Sequence, residues 1–239
     1  VPIAVISGAL WRETVKRPSR GIAPINPSGM STTASRTSGR ATVTTTGSAP
    51  VIVAQRLRKG SCGSPRGAKR LVADALKTVS TLHGRSDVKP LLRADSAFYG
   101  APTVGAALRG GAQVSITVRL DPKVKAAIAT ISQEAWTPIE YTDAIFDEAS
   151  NTWVSRAEVA EVPFTAFSSK KATDQVTGRL VVRRIPDLNA EKKKAAGQGT
   201  LFDTWRFHAF FTTTPALERD TVTADQVHRG HAIIENVHA

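Results

Sequence analysis

The chain has 239 residues, 41% of them hydrophobic, and carries 32 Lys or Arg against 20 Asp or Glu, for a net charge of +12. That length supports one substantial core or two modest ones, and the charge favours a polyanionic partner, either nucleic acid or an anionic surface. The single cysteine, Cys62, excludes an intrachain disulfide framework and a four-thiolate zinc site, and it fits a reducing compartment, so a cytoplasmic protein is expected. No apolar run approaches the ~20 residues that span a bilayer, and Val1 to Leu10 lacks the basic start of a secretory signal, so no membrane partner is expected.

The charge is unevenly placed. Residues 1–73 hold 12 Lys or Arg and one acid, Glu13, so +11 of the +12 lies in the first third. The first 50 residues contain 15 Ser or Thr, five Gly and five Pro, with no Phe or Tyr and one Leu. Such a composition buries little apolar surface, so residues 1–40 read as a disordered or linker-like basic segment, with a DNA-contacting arm as the alternative.

From residue 41 the pattern changes. Ala41 to Thr46 and Val51 to Arg56 are β-branched runs separated by Gly47-Ser48-Ala49-Pro50, which predicts a hairpin. A basic, glycine-bearing loop follows from Arg56 through Arg58, Lys59 and Arg66 to Gly67; it lacks the spacing of a P-loop. Leu71, Val72, Ala75, Leu76 and Val79 then recur at helical spacing over Ala68 to Leu82. The run Leu91-Leu92 leads to Asp95, after which a helix over Pro102 to Arg109 and a strand over Gln113 to Leu120 complete a β-α-β unit. An acid at the carboxyl end of the first strand of such a unit lies where ligands gather in open α/β sheets. A further helix is predicted over Pro122 to Ile131.

Residues 136–215 read as short strands: Thr137 to Tyr141, Trp153 to Ser155, Val159 to Phe167, Gly178 to Arg184 and Thr204 to Thr213. Glu191 to Gly199 reads as a solvated loop. The expected organisation is therefore a segment 1–40, the first part of an α/β core over 41–135, a β-rich insertion over 136–215, and a C-terminal core helix over 216–239.

That helix, Asp220 to Ala239, is predicted to be capped near Thr221 or Thr223. Val227, Gly230, Ile234 and Val237 share the face expected to meet a sheet, and His228, His231, Glu235 and His238 form a stripe beside it. Three chemistries could use that stripe, the plain alternative being a solvated polar face. Zinc would take His228 or His231 with Glu235 but needs a further ligand, for which the sequence offers distant His83 or His208. A lone histidine could act in acid-base catalysis. Glu235 with Asp95 could hold a hard divalent ion, Mg²⁺ or Mn²⁺, of the kind that assists phosphodiester displacement.

Taken in order, three passages resemble the DDE transposases of bacterial insertion sequences. Val51 to Gly67 resembles the strand and Arg-x-Gly-x-x-x-Ser loop before the first core helix of that family. Arg93-Ala94-Asp95-Ser96-Ala97-Phe98-Tyr99 resembles the strand end bearing its second catalytic Asp. His228-Arg229-Gly230-His231-Ala232-Ile233-Ile234-Glu235 resembles the Tyr-Arg-x-Arg-Trp-x-Ile-Glu helix that bears its third metal ligand. The resemblance implies an α+β fold with an incomplete ribonuclease-H-like mixed sheet, flanking helices and an inserted antiparallel β subdomain. It implies that Asp95 and Glu235 bind Mg²⁺ or Mn²⁺, and that Arg229, His228, His231 and Tyr99 lie near DNA, with Arg56, Arg58, Lys59 and Arg66 in support. The implied partners are double-stranded DNA, as transposon ends and target, and a second copy of the chain on that DNA, in the bacterial nucleoid.

The departures shape the expectation. No Asp precedes Asp74, whereas the family places its first catalytic Asp on a strand upstream of the hairpin. The family's Lys two turns beyond the Glu would fall past Ala239. The sequence therefore reads as a catalytic-domain fragment whose residues 1 to about 40 derive from a degraded upstream region, with one of three carboxylates missing and activity in question. A non-catalytic DNA-binding remnant and a metal-dependent nuclease that cuts without joining are the alternatives.

Overall fold

The structure, a computed structural model, describes residues 11–13, 36–43, 51–59, 63, 65–83, 89–147, 152–186 and 205–230. Period-two alternation produces its largest feature. Along β5 (Gln113–Val118), Val114, Ile116 and Val118 enter the main core, whereas Ser115 and Thr117 share a face with Phe210 and Thr212 of β9 (Trp205–Thr212). β5 pairs in parallel with β4 (Leu91–Ala94) and antiparallel with β9. Next to β9 come β8 (Val176–Pro186), β7 (Thr152–Ala166) and β6 (Thr137–Asp147), giving a six-stranded mixed sheet in the order β4-β5-β9-β8-β7-β6. The fold is α+β, as expected. The antiparallel strands of 136–215 extend the core sheet itself, and the two runs expected around residues 153–167 form the single long strand β7.

A parallel pair needs a crossover, and α2 (Ala101–Arg109) supplies it between β4 and β5. It ends at Gly110, followed by Gly111 at φ 77°, a left-handed conformation that suits glycine. Helix α1 (Ala68–His83) packs beside α2, and Leu71, Val72, Leu76, Val104 and Ala107 join Leu92, Val114, Ile116, Leu180 and Phe211 in one continuous core. Each fully buried Leu, Ile or Phe contributes about 1.5–3 kcal/mol. α3 (Pro122–Ala129) is capped by Asp121, whose carboxylate accepts the Val124 N–H at 2.8 Å.

The opposite face of the sheet carries α4 (Thr221–Arg229) over a small apolar cluster of Val181, Phe210 and Ala224. β4 stands at one end of the sheet among the described residues, yet all four of its residues are buried.

A second sheet joins β1 (Trp11–Glu13), β2 (Arg36–Val43) and β3 (Val51–Lys59), all antiparallel. The expected hairpin is present, with Val43 opposite Val51, but its strands run further than predicted. Arg56, Arg58 and Lys59 therefore belong to β3 and not to a loop, because β3 keeps its pairing to β2 as far as Lys59 opposite Arg36. Parts of the 1–40 segment, read from composition as unstructured, form β1 and the start of β2. The expected turn at 47–50 and the loop at 191–199 lie outside the described residues.

Candidate functional site

Asp95 follows β4 directly, where the strand ends. Its backbone stays extended (φ −76°, ψ 175°), and its Oδ1 accepts the Ala97 N–H at 2.7 Å, capping the short 3₁₀ turn Ser96–Phe98. The carboxylate is solvent-exposed at the carboxyl end of a parallel β-α-β unit, and the amino terminus of α2 begins a few residues on.

Tyr99 closes this loop from inside. Its ring lies 4.9 Å from Phe167 and 6.2 Å from Phe211, so it packs into the core beneath the loop. Burial, and then the negative charge of Asp121, push its hydroxyl up to about 12.

Two residues before Asp95 the strand presents Arg93 to the face that α4 covers. Arg93 is only 3% exposed, and it donates through Nη2 to the carbonyl of His228 in the last turn of α4. Its Nε finds no hydrogen-bond partner among the described residues. Burial pushes the guanidinium down to about 10, so it remains charged at neutral pH.

Helix α4 is fixed at both ends. Its cap is Asp220 rather than the predicted Thr221 or Thr223: the carboxylate accepts the Thr223 N–H at 2.7 Å, a bond that holds Asp220 below the usual carboxylate range. Nearby, the Thr221 hydroxyl donates to Glu161 at 2.9 Å, and Arg179 donates to the carbonyls of Thr214 and Arg219, both at 2.9 Å. At the other end His228 stacks on Phe210, with centroids 4.0 Å apart and planes at 5°. Its Nδ1 is hydrogen-bonded to the Ser115 hydroxyl at 2.8 Å and its Nε2 to the Thr117 hydroxyl at 3.1 Å. Between the ends Asp225, 1% exposed, accepts from Arg183 at 3.1 Å and from Arg229 at 2.7 Å. The helix therefore lies across the sheet from β7 and β8 to β4, where it meets Arg93.

These contacts revise the expected orientation of the helix. Ala224, Asp225 and His228 face the sheet, whereas Val227 is half-buried, because β5 offers hydroxyls and β8 a cation that apolar side chains cannot satisfy. Among the predicted DNA-facing residues, His228 is turned onto the sheet and Arg229 pairs with Asp225. Arg56 lies 4.0 Å from Asp74 of α1, and Arg66 is exposed in the turn before that helix. Arg58 and Lys59 end β3. His231, Glu235 and His238 lie outside the described residues.

An oxygen-seeking Mg²⁺ or Mn²⁺ suits an exposed carboxylate such as Asp95, whose second oxygen is not used by the turn it caps. Among the described residues no group of three His, Cys, Asp or Glu side chains could hold a metal ion. Sequence reasoning missed Arg93 and Asp225 as anchors of α4. The alternation of Gln113, Ser115 and Thr117 along β5 was the available signal, since a polar sheet face under a helix needs polar partners.

No known family model matches the chain, and no curated protein matches it. No helix among the described residues is long and apolar enough to cross a membrane.

Proposed function

We propose that this chain processes DNA in the manner of the DDE transposases, acting at the ends of a mobile element. The observation that carries the reading is the tie between Arg93 and the carbonyl of His228. It fixes the last turn of α4 beside the strand that leads into Asp95.

In this reading Asp95 and Glu235 hold a divalent ion, which when bound would help activate the attacking oxygen and offset charge on the leaving one. Asp95 comes with a fixed orientation, because its 3₁₀ turn holds one oxygen. Arg229 has part of its charge balanced by Asp225, so its pull on a phosphate is moderated. The His228 ring is engaged with Ser115 and Thr117, and its proposed role is to position the helix rather than to meet the scissile strand. Two copies acting together on DNA, in the nucleoid of a bacterial cytoplasm, complete the proposal.

The test is strand nicking and joining of transposon-end DNA with Mg²⁺, Mn²⁺ or chelator, comparing the wild-type chain with Asp95→Asn, which keeps the oxygen that caps the turn. Nicking that needs the ion and falls at least about a hundredfold in Asp95→Asn is expected. Nicking indifferent to the substitution would overturn the reading. Nicking without joining would replace it with a nuclease, and binding without nicking with a non-catalytic DNA-binding remnant.

A further inference from the structure

Helix α1 carries cations where helix stability argues against them. Lys69 and Arg70 stand in its first turn, which holds no acid, although positive charge there opposes the helix dipole. Lys77 follows about 12 Å further along the axis. All three line a groove of about 690 Å³ between α1 and α2, and Arg109 of α2 closes it from the other side. Among the described residues no Asp or Glu lines the groove; Asp74 of the same helix reaches Arg56 on β3 instead.

Two glycines shape it. A Cβ on Gly110 would come within 2.6 Å of Leu76 Cδ1, so the bare backbone lets the two helices meet closely at the groove floor. A Cβ on Gly105 would lie 3.0 Å from Arg109 Nη1, so the missing side chain gives the guanidinium room to lie back along α2.

We propose that the α1–α2 groove is a docking track for the phosphate backbone of double-stranded DNA. Arg109 is the last residue of α2, whereas the Asp95 loop precedes its first, which sets the track at the other end of that helix from Asp95. The amino-terminal pole of α1 and the cations of its first turn act in the same sense on an anion. The separation of Lys69 and Lys77 corresponds to roughly three phosphates of one strand. Four cations around a floor of small and apolar residues, with no acid among the described lining residues, are complementary to a polyanion. This site involves no metal and does not depend on the catalytic reading.

Fluorescence anisotropy of a labelled ~20-base-pair duplex, measured from ~50 to ~400 mM salt on the full chain, tests it. Lys69, Arg70, Lys77 and Arg109 are all exposed, so their joint replacement by Ala should leave the thermal melt intact. The control replaces exposed Lys89, Lys170, Lys171 and Arg206 by Ala and removes the same charge. The groove variant should bind at least about tenfold more weakly near 0.1 M salt, with a log–log salt slope shallower by about 3, and the control should change less than about threefold. Lys77→Glu alone should weaken binding about threefold or more. Equal losses in groove and control variants would overturn the proposal. So would an unaltered groove variant, or binding of phosphatidylserine vesicles that needs these four cations while DNA binding does not.

Discussion

Replacing Asp225 should loosen the attachment of α4 to the sheet more than any change on its outer face. Asp225 is 1% exposed, and its two oxygens accept from Arg183 Nη1 at 3.1 Å and Arg229 Nε at 2.7 Å. The Arg183 side chain is 13% exposed, so removing the carboxylate leaves a cation with little access to water. Breaking such a buried pair typically costs about 3–5 kcal/mol, of which the more exposed Arg229 contact accounts for only about 0.5 kcal/mol. Asp225→Ala should therefore lower the melting temperature by about 6–20 °C in a domain of this size. Asp225→Asn retains an acceptor for Arg183 and loses only the charge, so it should cost about 1–2 kcal/mol. The double substitution Arg183→Met with Asp225→Leu removes the desolvated charges together and should recover much of the loss. Urea denaturation of the four proteins decides the matter. A loss below about 1 kcal/mol in Asp225→Ala, or a double variant no better than the single one, would refute the view that this carboxylate anchors the helix.

Two further outcomes follow from geometry away from α4. Gly178 on β8 lies where a Cβ would sit 2.4 Å from the Thr212 carbonyl oxygen and 2.8 Å from the Phe211 ring, so Gly178→Ala should destabilise by about 3 kcal/mol or more; a urea midpoint within error of wild type would contradict it. Tyr99 should ionise near 12 in alkaline ultraviolet titration, well above an ordinary tyrosine. Because the folded state favours the neutral phenol, its contribution to stability is whole below the unfolded value of about 10 and is lost as pH rises through about 12. In Tyr99→Phe that part of the alkaline loss should vanish, and a Tyr99 that titrates near 10 would remove the basis for it.

The sequence by itself determined the elements whose pattern is local. The 3.6-residue spacing of Leu71, Val72, Ala75, Leu76 and Val79 fixed α1, the Val- and Ile-bearing run after Gln113 marked β5, and the acid after Leu91-Leu92 marked a strand end. Such signals need only neighbouring residues, because the periods of helix and strand are properties of the backbone. What the sequence could not settle was which face of α4 meets the sheet. An apolar stripe pointed to Val227, and the tertiary structure chose Asp225 and His228, because the surface they meet is made of Arg183 from β8, Ser115 and Thr117 from β5, and Phe210 from β9. Arg183 lies more than 40 positions from its partner, and Ser115 and Thr117 more than 100 from theirs, and buried polar groups must be satisfied wherever their partners lie in the chain. The same reason makes the α1–α2 groove a product of the fold. Lys69, Arg70 and Lys77 are visible as charges in the sequence, but only the close approach at Gly110 and Leu76 sets Arg109 opposite them.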